Sequence, residues 1–330
     1  MTALTDINME WVACPFCDAD DPALVECRPS SPRGGFRAGM PLVNVICKRC
    51  TLVYLTPRVR RKATTAYYES MTHLEVPNTL SKAEKRFLER HGEVVARFCL
   101  AHGFSGKSVL EVGCGYGYNL EAFKQRGFDV LGIEPSTERA NVARSLGIPV
   151  ITTPLENYTT EGGGGVDLIV LSHVLEHLPD AIGALRKVRE LLAPNGMLYI
   201  EVPNLYRHDS FRPSHLYTFD ETTLKATLGV AGFSVQSLET HGKGQVVPWF
   251  GWVLSALCIA TEPKPIHLPL ADYRIVLRKR IRGRIIGRVG EAMNPISVRS
   301  LVLRVFQAIV GKSLYGLFRR AYRMVLRHPV

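Results

Sequence analysis

The sequence lacks an apolar run long enough to cross a membrane. The longest, residues 246–260, holds 15 residues, whereas a spanning helix needs about 20. The first residues, MTALTDINMEW, have neither a basic start nor an apolar stretch, so we expect no signal peptide. Eight cysteines in 330 residues are too few for a secreted disulfide scaffold. We therefore expect a cytoplasmic protein, one that can still associate peripherally with the inner face of the membrane.

Acidic residues are scarce at the C-terminal end. Residues 264–330 contain 15 of the 41 Lys and Arg residues but two of the 30 acids, a net charge of +13 against −2 for the remainder. Such asymmetry is typical of a tail that meets nucleic acid or an anionic membrane. Within 298–327, apolar residues recur at steps of three and four, which predicts one apolar helical stripe beside basic residues.

Two interpretations of this tail stay open. The helix packs on its own domain with a solvated basic face, or it lies on anionic lipid. The run at 246–260, with Trp249 and Trp252, favours the membrane surface. Nucleic acid is an unlikely partner, because no basic groove with interleaved aromatic residues is evident.

The middle of the chain alternates between short apolar runs and helical patterns. Strands are predicted at 108–112, 129–133, 166–171 and 197–202, with helices between them, and the pattern of 81–102 predicts a helix before the first strand. Such alternation is typical of an α/β fold, a parallel sheet with helices on both faces. A sixth strand is expected at 233–240, whereas the seventh is either 273–278 or absent.

A glycine loop follows the first of these strands, in the segment VLEVGCGYGYN at 109–119. In an open parallel sheet, ligands bind at the carboxyl ends of the strands. The dinucleotide fingerprint G-x-G-x-x-G would need glycine at 118, where the chain has Tyr118. Glu111, just before the glycines, disfavours a pyrophosphate and favours a ligand that bears positive charge.

These residues resemble motif I of the class I S-adenosylmethionine (SAM) dependent methyltransferases, and further segments, GIEPS, PLENY, VDLIVLSHVLEHLPD and LLAPNGMLYIEVPN, resemble later motifs in the same order. The resemblance implies a Rossmann-like sheet that binds SAM. It implies that Glu134 accepts both ribose hydroxyls, that Leu155 and Glu156 lie at the adenine, and that His173 faces the methionine end. The cofactor-binding set is thus Glu111, Gly113, Gly115, Gly117, Glu134, Leu155, Glu156 and His173. Glu176 and His177 also match the family, or they serve to shape the loop.

Two Cys-x-x-Cys pairs lie near the N-terminus, Cys14 with Cys17 and Cys47 with Cys50. Four thiolates suit tetrahedral Zn²⁺ and leave no open position, so we expect a structural zinc site in a zinc-ribbon-like region. The 29 residues between the pairs leave room for a hairpin. A redox role is less favoured, because neither pair sits in a βαβ context.

A zinc-ribbon-like region followed by a SAM domain resembles bacterial methyltransferases of glycan, sugar-nucleotide and secondary-metabolite pathways. Some of these are sugar C-methyltransferases with a Glu beside the catalytic His, where this chain has Ser214 before His215. We therefore expect O-methylation of a sugar, glycan or lipid-linked acceptor, with C-methylation of a nucleotide sugar or secondary metabolite as the alternative.

His215 is the candidate general base, since the ordinary pKa of histidine suits proton removal from an alcohol. It could instead be a capping or packing residue before a helix at 220–232. Other polar side chains in the same loop are Tyr206, His208, Asp209 and Tyr217.

The sequence thus predicts four regions: a zinc-ribbon-like domain at 1–60, a linker with a helix at 61–104, a SAM-binding core at 105–240, and an apolar and basic helical region at 241–330. A competing hypothesis is a non-catalytic module of the same fold that docks on a membrane or a partner enzyme.

Overall fold

The structure is a computed structural model that describes residues 9–29, 41–60, 80–159, 165–206, 211–212, 214–241, 253–265 and 271–292. The chain divides into two compact units, residues 1–281 and residues 282–330. The contacts described below all lie in the first unit.

Thirteen strands and six helices make up the described part of the chain. The strands are β1 Met9–Glu10, β2 Pro22–Pro29, β3 Pro41–Cys47, β4 Val53–Leu55, β5 Arg58–Val59, β6 Ser108–Val112, β7 Asp129–Ile133, β8 Val150–Ile151, β9 Val166–Ser172, β10 Leu192–Pro203, β11 Tyr217–Thr218, β12 Phe233–His241 and β13 Val253–Ala260. The helices are α1 Lys82–Ala101, α2 Tyr118–Lys124, α3 Thr137–Ser145, α4 Ala181–Leu191, α5 Glu221–Val230 and α6 Tyr273–Ala292.

The main sheet has seven strands in the order β12-β13-β10-β9-β6-β7-β8. Strands β6 to β10 are parallel, and β13 pairs antiparallel with both β10 and β12. The α/β fold is therefore confirmed, and all four predicted central strands are present. Chain order reverses on either side of β6, which pairs with β7 on one edge and with β9 on the other. The loops after β6 and β9 consequently meet at the position where such sheets bind ligands.

Local sequence explains where the helices begin. Asp220 accepts a hydrogen bond from the Thr223 backbone N–H, and the Thr223 hydroxyl lies against the Asp220 N–H, so a capping box starts α5 as predicted. Ser136 and Asp180 cap α3 and α4 in the same manner.

The prediction for the seventh strand is wrong. The segment 273–278 lies in helix α6, and the seventh strand is β13, inside the apolar run that the sequence associated with a membrane. Residues Val253–Cys258 are buried because β13 has a paired strand on each side. A strand enclosed in this way reads as a continuous apolar run. The main sheet therefore continues to Ala260, past the predicted limit at 240.

A second sheet joins the cysteine-rich region to the core. Its order is β11-β4-β3-β2, so three N-terminal strands pair with a strand from the loop after β10. Tyr217 lies opposite Tyr54 in this pairing, and the Leu55 N–H donates to the Leu216 carbonyl at 3.0 Å. The β2–β3 hairpin occupies the gap between the two Cys-x-x-Cys pairs.

Helix α1, which the sequence grouped with a linker, packs on the main sheet. Val95, Phe98 and Cys99 share an apolar cluster with Val109 and Leu168. Gly92 makes this close crossing possible, because a Cβ there would lie 2.4 Å from the Tyr118 carbonyl oxygen of α2. The two helices therefore approach one another beside the glycine loop.

No helix among the described residues is long and apolar enough to cross a membrane. The predicted helical stripe at 298–327 lies outside the described residues, as do Trp249, Trp252, His208 and Asp209. In helix α6, Val276 and Arg280 are buried, while Ile275 and Ile281 are exposed.

Candidate functional site

The glycine loop follows β6 and leads into α2. Gly113, Gly115 and Gly117 all have positive φ, at 65°, 54° and 81°. A Cβ on Gly113 would lie 2.8 Å from a methyl group of Val174, whereas a Cβ on Gly115 would meet nothing within 4 Å. The loop thus packs tightly against the segment after β9 and leaves open space at Gly115. A ligand can approach the backbone there.

Glu134, at the end of β7, is bound to this loop. Its Oε2 accepts the Gly115 N–H and its Oε1 accepts the Ser136 N–H, both at 2.9 Å. The side chain is 4% exposed. Each carboxylate oxygen keeps a further lone pair after these bonds, so the group can still accept hydroxyl protons from a ribose. The structure therefore places this predicted residue at the glycine loop.

Glu111 lies beneath the loop on β6. Its Oε1 accepts a bond from the Asn119 amide at 2.6 Å, while its Oε2 has no hydrogen-bond partner among the described residues. Burial raises the pKa of Glu111 to about 8, and the nearby charge of Glu134 adds to this shift. The site therefore favours a bound cation, since positive charge would offset the cost of ionising Glu111.

The predicted adenine residues lie in a short 3-10 turn, Leu155–Asn157. Leu155 is buried in the apolar cluster that also contains Val112 and Ile133, from the ends of the two strands that carry the glycine loop and Glu134. Glu156 is exposed. Leu155 thus belongs to the packing under this part of the sheet, and Glu156 faces solvent.

His173 follows β9 with φ at 57°, a conformation that side chains other than glycine seldom adopt. Its Nε2 lies 2.9 Å from Glu201 Oε1, and its Nδ1 lies 3.3 Å from Glu176 Oε1. His91 of α1 reaches the same Glu201 oxygen through Nε2 at 2.8 Å. Burial opposes ionisation of Glu201, yet His91 and His173 hold its pKa well below the ordinary value.

A second group of polar side chains surrounds Glu176. Burial opposes its ionisation, but the bond with His173 and the charges of His177 and His215 lower its pKa to about 2. His177 packs edge-on against His215, with ring centres 4.8 Å apart. The structure therefore brings Glu176, His177 and the predicted base into one cluster.

The loop that carries His215 is held from both sides. The Leu216 N–H donates to the Glu176 carbonyl at 2.7 Å, and His177 Nδ1 donates to the Ser214 carbonyl at 2.9 Å. In a neutral His177 this donation places the ring hydrogen on Nδ1, and Nε2 lies 3.9 Å from Glu176 Oε1. Burial lowers the pKa of His177, so this neutral form persists below pH 6.5. Either imidazole is therefore chemically able to accept a proton.

The four predicted zinc ligands come together at the base of the N-terminal sheet. Cys14 Sγ lies 3.3 Å from Cys50 Sγ, Cys17 Sγ lies 3.6 Å from Cys47 Sγ, and none forms a disulfide. A tetrahedral Zn–S₄ centre has sulfurs about 3.8 Å apart. The hydrogen bond from Cys14 lowers the pKa of Cys47 to about 2, while that shared bond raises the pKa of Cys14. The donor set fits a tetrahedral metal ion.

Three residues near the glycine loop and His173 were not predicted from the sequence: His91, Asn119 and Glu201. One signal was available for Glu201, an acid at the end of an otherwise apolar buried strand. His91 occupies the buried side of α1 beside Gly92, but only the close helix crossing reveals that it reaches the sheet.

Comparison with known proteins identifies the domain that carries these residues. Residues 83–238 match the family model described as "Methyltransferase domain". This match contains helix α1, the glycine loop, Glu134 and the histidine cluster.

Two curated relatives differ in what they methylate. An Ubiquinone biosynthesis O-methyltransferase of Acinetobacter baylyi is 33% identical over 111 residues, which are 32% of this chain and 47% of that protein. The C-methyltransferase NovU of Streptomyces niveus is 26% identical over 272 residues, 74% of this chain and 62% of that protein. The chain therefore spans about half to three fifths of the length of these relatives.

Among solved structures, 1,6-didemethyltoxoflavin-N1-methyltransferase of Burkholderia thailandensis matches 57% of this chain and 93% of its own, at 21% identity and a TM-score of 0.43. The motif order, the sheet topology and the family match agree on one assignment. Residues 83–238 form a methyltransferase domain with the motif order and sheet topology of the class I SAM-dependent methyltransferases.

Proposed function

We propose that this protein transfers a methyl group from SAM to a small oxygen acceptor of the sugar, glycan or lipid-linked class. One observation carries the proposal: Glu134 is bound to an open glycine loop, beside a cluster that contains two histidines able to accept a proton. SAM supplies an electrophilic methyl group on a sulfonium. The protein's part is to align the acceptor with that methyl and to remove the acceptor's proton.

In this proposal Gly115 admits the ligand, and Glu134 holds its ribose. Glu111 lies below with a carboxyl whose ionisation a cation would favour. His215 takes the acceptor's proton, with His177 packed against it and the buried carboxylate of Glu176 available to stabilise the imidazolium. A carbon acceptor would use the same groups, and NovU shows 26% identity to this chain. O-methylation remains the preferred reaction, because Ser214 precedes His215 where the resemblance to sugar C-methyltransferases implies a Glu.

Labelled methyl transfer tests the reaction. We expect the protein to bind SAM in calorimetry and to move a radiolabelled methyl group to one member of a panel of nucleotide sugars and cell-envelope glycans. Base-stable label indicates an ether or a carbon product, and NMR of that product separates the two. Failure to bind SAM would contradict the enzyme proposal and favour a docking module of the same fold.

We also propose that Cys14, Cys17, Cys47 and Cys50 hold a structural Zn²⁺. Such an ion would fix the sheet in which β4 pairs with β11, and β11 begins two residues after His215.

We expect a thiol-blocking mercurial to release about one zinc per chain. Cys47→Ser should then lose methyl transfer more than SAM binding, because the glycine loop lies on other strands. Exposed Cys27→Ser is the matched control, and a protein whose zinc content does not respond to the mercurial would exclude thiolate ligation.

Finally, we propose that the basic tail contacts an anionic membrane surface. Residues 293–330 hold seven Lys and Arg and no acid, and each basic group near such a surface contributes about 1 kcal/mol. Full-length protein should sediment with phosphatidylglycerol vesicles at low salt and be released as salt rises, and protein that ends at Ala292 should not sediment. Equal sedimentation of the two forms would exclude residues 293–330 from the contact and leave the basic residues of 264–292 or the remainder of the chain.

A further inference from the structure

His91, His173 and Glu201 converge on one point between helix α1 and the ends of β9 and β10. His91 Nε2 is hydrogen-bonded to Glu201 Oε1 at 2.8 Å, and His173 Nε2 lies 2.9 Å from the same oxygen. The three ligand atoms lie within 4.8 Å of one another. Glu201 is completely buried and His91 is 5% exposed. The proposed methyl transfer assigns no task to His91 or Glu201.

The outer atoms of these three residues are already engaged. His91 Nδ1 lies 3.1 Å from Asn119 Oδ1, and the Asn119 amide nitrogen donates to Glu111 at 2.6 Å. The second oxygen of Glu201 accepts hydroxyl bonds at 3.0 and 3.1 Å from Tyr199 and Ser255. With Glu176 behind His173 Nδ1, every outer contact has the form typical around metal-binding histidines and carboxylates.

The hydrogen bonds around these three residues indicate that a positive charge is missing between them. Because Asn119 Oδ1 and Glu176 Oε1 accept, the Nδ1 atoms of His91 and His173 carry the hydrogens. In neutral rings each Nε2 then carries a lone pair within 2.9 Å of the Glu201 oxygen, which is repulsive unless positive charge lies close by. Two additional protons would make two imidazolium rings with centres 6.3 Å apart in a buried site. One divalent cation supplies the same charge with neutral rings.

We propose that His91, His173 and Glu201 bind a divalent transition-metal ion of the Zn²⁺, Co²⁺ or Fe²⁺ type. Two imidazoles with one carboxylate suit these metals. Bonds of 2.0–2.2 Å at angles between 90° and the tetrahedral value place neighbouring ligand atoms about 2.8–3.6 Å apart, and the observed Nε2–Oε1 distances of 2.8 and 2.9 Å fall at the lower end.

This metal site is of the open type. Three protein ligands leave coordination positions for water or another oxygen ligand. The His173 side chain is 21% exposed, although its Nε2 atom is buried. The left-handed backbone at His173, with φ at 57°, aims the ring at Glu201 at an energetic cost, and such conformations cluster at ligand sites.

Cobalt titration of the metal-free, full-length protein tests the proposal without reference to methyl transfer. We expect about two Co²⁺ per chain: one with the intense thiolate charge-transfer absorption of a sulfur site, and one with only the weak ligand-field bands of nitrogen and oxygen ligands. His91→Gln and Glu201→Gln should each lose the second ion and keep the first. His102→Gln, on the same helix, should keep both.

Binding of only the thiolate-held ion by the unmutated protein would overturn the proposal, and this measurement needs no variant to fold. Retention of the second ion by a folded Glu201→Gln protein, checked by circular dichroism, would overturn it as well. Blocking the four cysteines with a mercurial is the complementary experiment. It should remove the sulfur-bound ion and leave the ion bound by nitrogen and oxygen.

Discussion

Glu134→Gln should reduce SAM affinity by about 10²- to 10⁴-fold, because two hydrogen bonds to a charged group contribute about 1.5–3 kcal/mol each. The loss has a second cause within the protein. An amide offers one acceptor oxygen, yet both carboxylate oxygens of Glu134 accept backbone N–H groups, from Gly115 and Ser136. The substituted amide nitrogen would therefore face a donor and push it away. Calorimetry with SAM measures the change in Kd directly.

A matched control is Glu190→Gln, on the exposed side of α4, which should leave the Kd unchanged. The thermal unfolding temperature of both variants separates lost binding from lost folding. If Glu134→Gln bound SAM like the unmodified protein while folded, the ribose-binding role of Glu134 would be wrong. The glycine loop alone would then have to account for the affinity.

The parts of the site that follow strand ends could be predicted from the sequence. Glycines after β6, an acid after β7 and a histidine after β9 reach one edge, because parallel strands deliver their carboxyl ends to the same place. The four cysteines could be assigned to one metal site for a similar reason, since each Cys-x-x-Cys spacing presents two thiols in one turn. In these cases local spacing and strand direction were sufficient to predict which residues lie together.

The parts of the site and fold that were not predicted depend on contacts between segments distant in the sequence. His91 and Glu201 are 110 residues apart, and their contact requires α1 to cross α2 closely at Gly92. The position of β13 also escaped prediction, because a short apolar run does not distinguish an enclosed strand from an interfacial segment. That difference removes residues 253–260 from the argument for membrane contact, which now depends on the charge of the tail.

His215→Gln should lower kcat by about 10²- to 10⁴-fold, the usual contribution of a positioned general base, while SAM affinity stays unchanged. The glycine loop and Glu134 follow β6 and β7, whereas His215 precedes β11, so SAM binding and the chemical step can be measured separately. Single-turnover transfer of labelled methyl at saturating SAM measures the chemical step. His102→Gln serves as the control, since that histidine bonds the Phe98 carbonyl on the far end of α1.

His177→Gln decides which imidazole takes the proton, because the two rings are in contact. Burial lowers the pKa of His177, so a lower pH is needed to protonate it. If His177 were the base, the fall of kcat with decreasing pH would be centred below pH 6.5, and His177→Gln would lose more activity than His215→Gln. If His215 is the base, His177→Gln should have the smaller effect, since the Leu216 N–H bond to the Glu176 carbonyl still fixes the loop. Equal, full activity in both variants would leave proton removal to solvent and reduce the role of the protein to alignment of the acceptor with the methyl group.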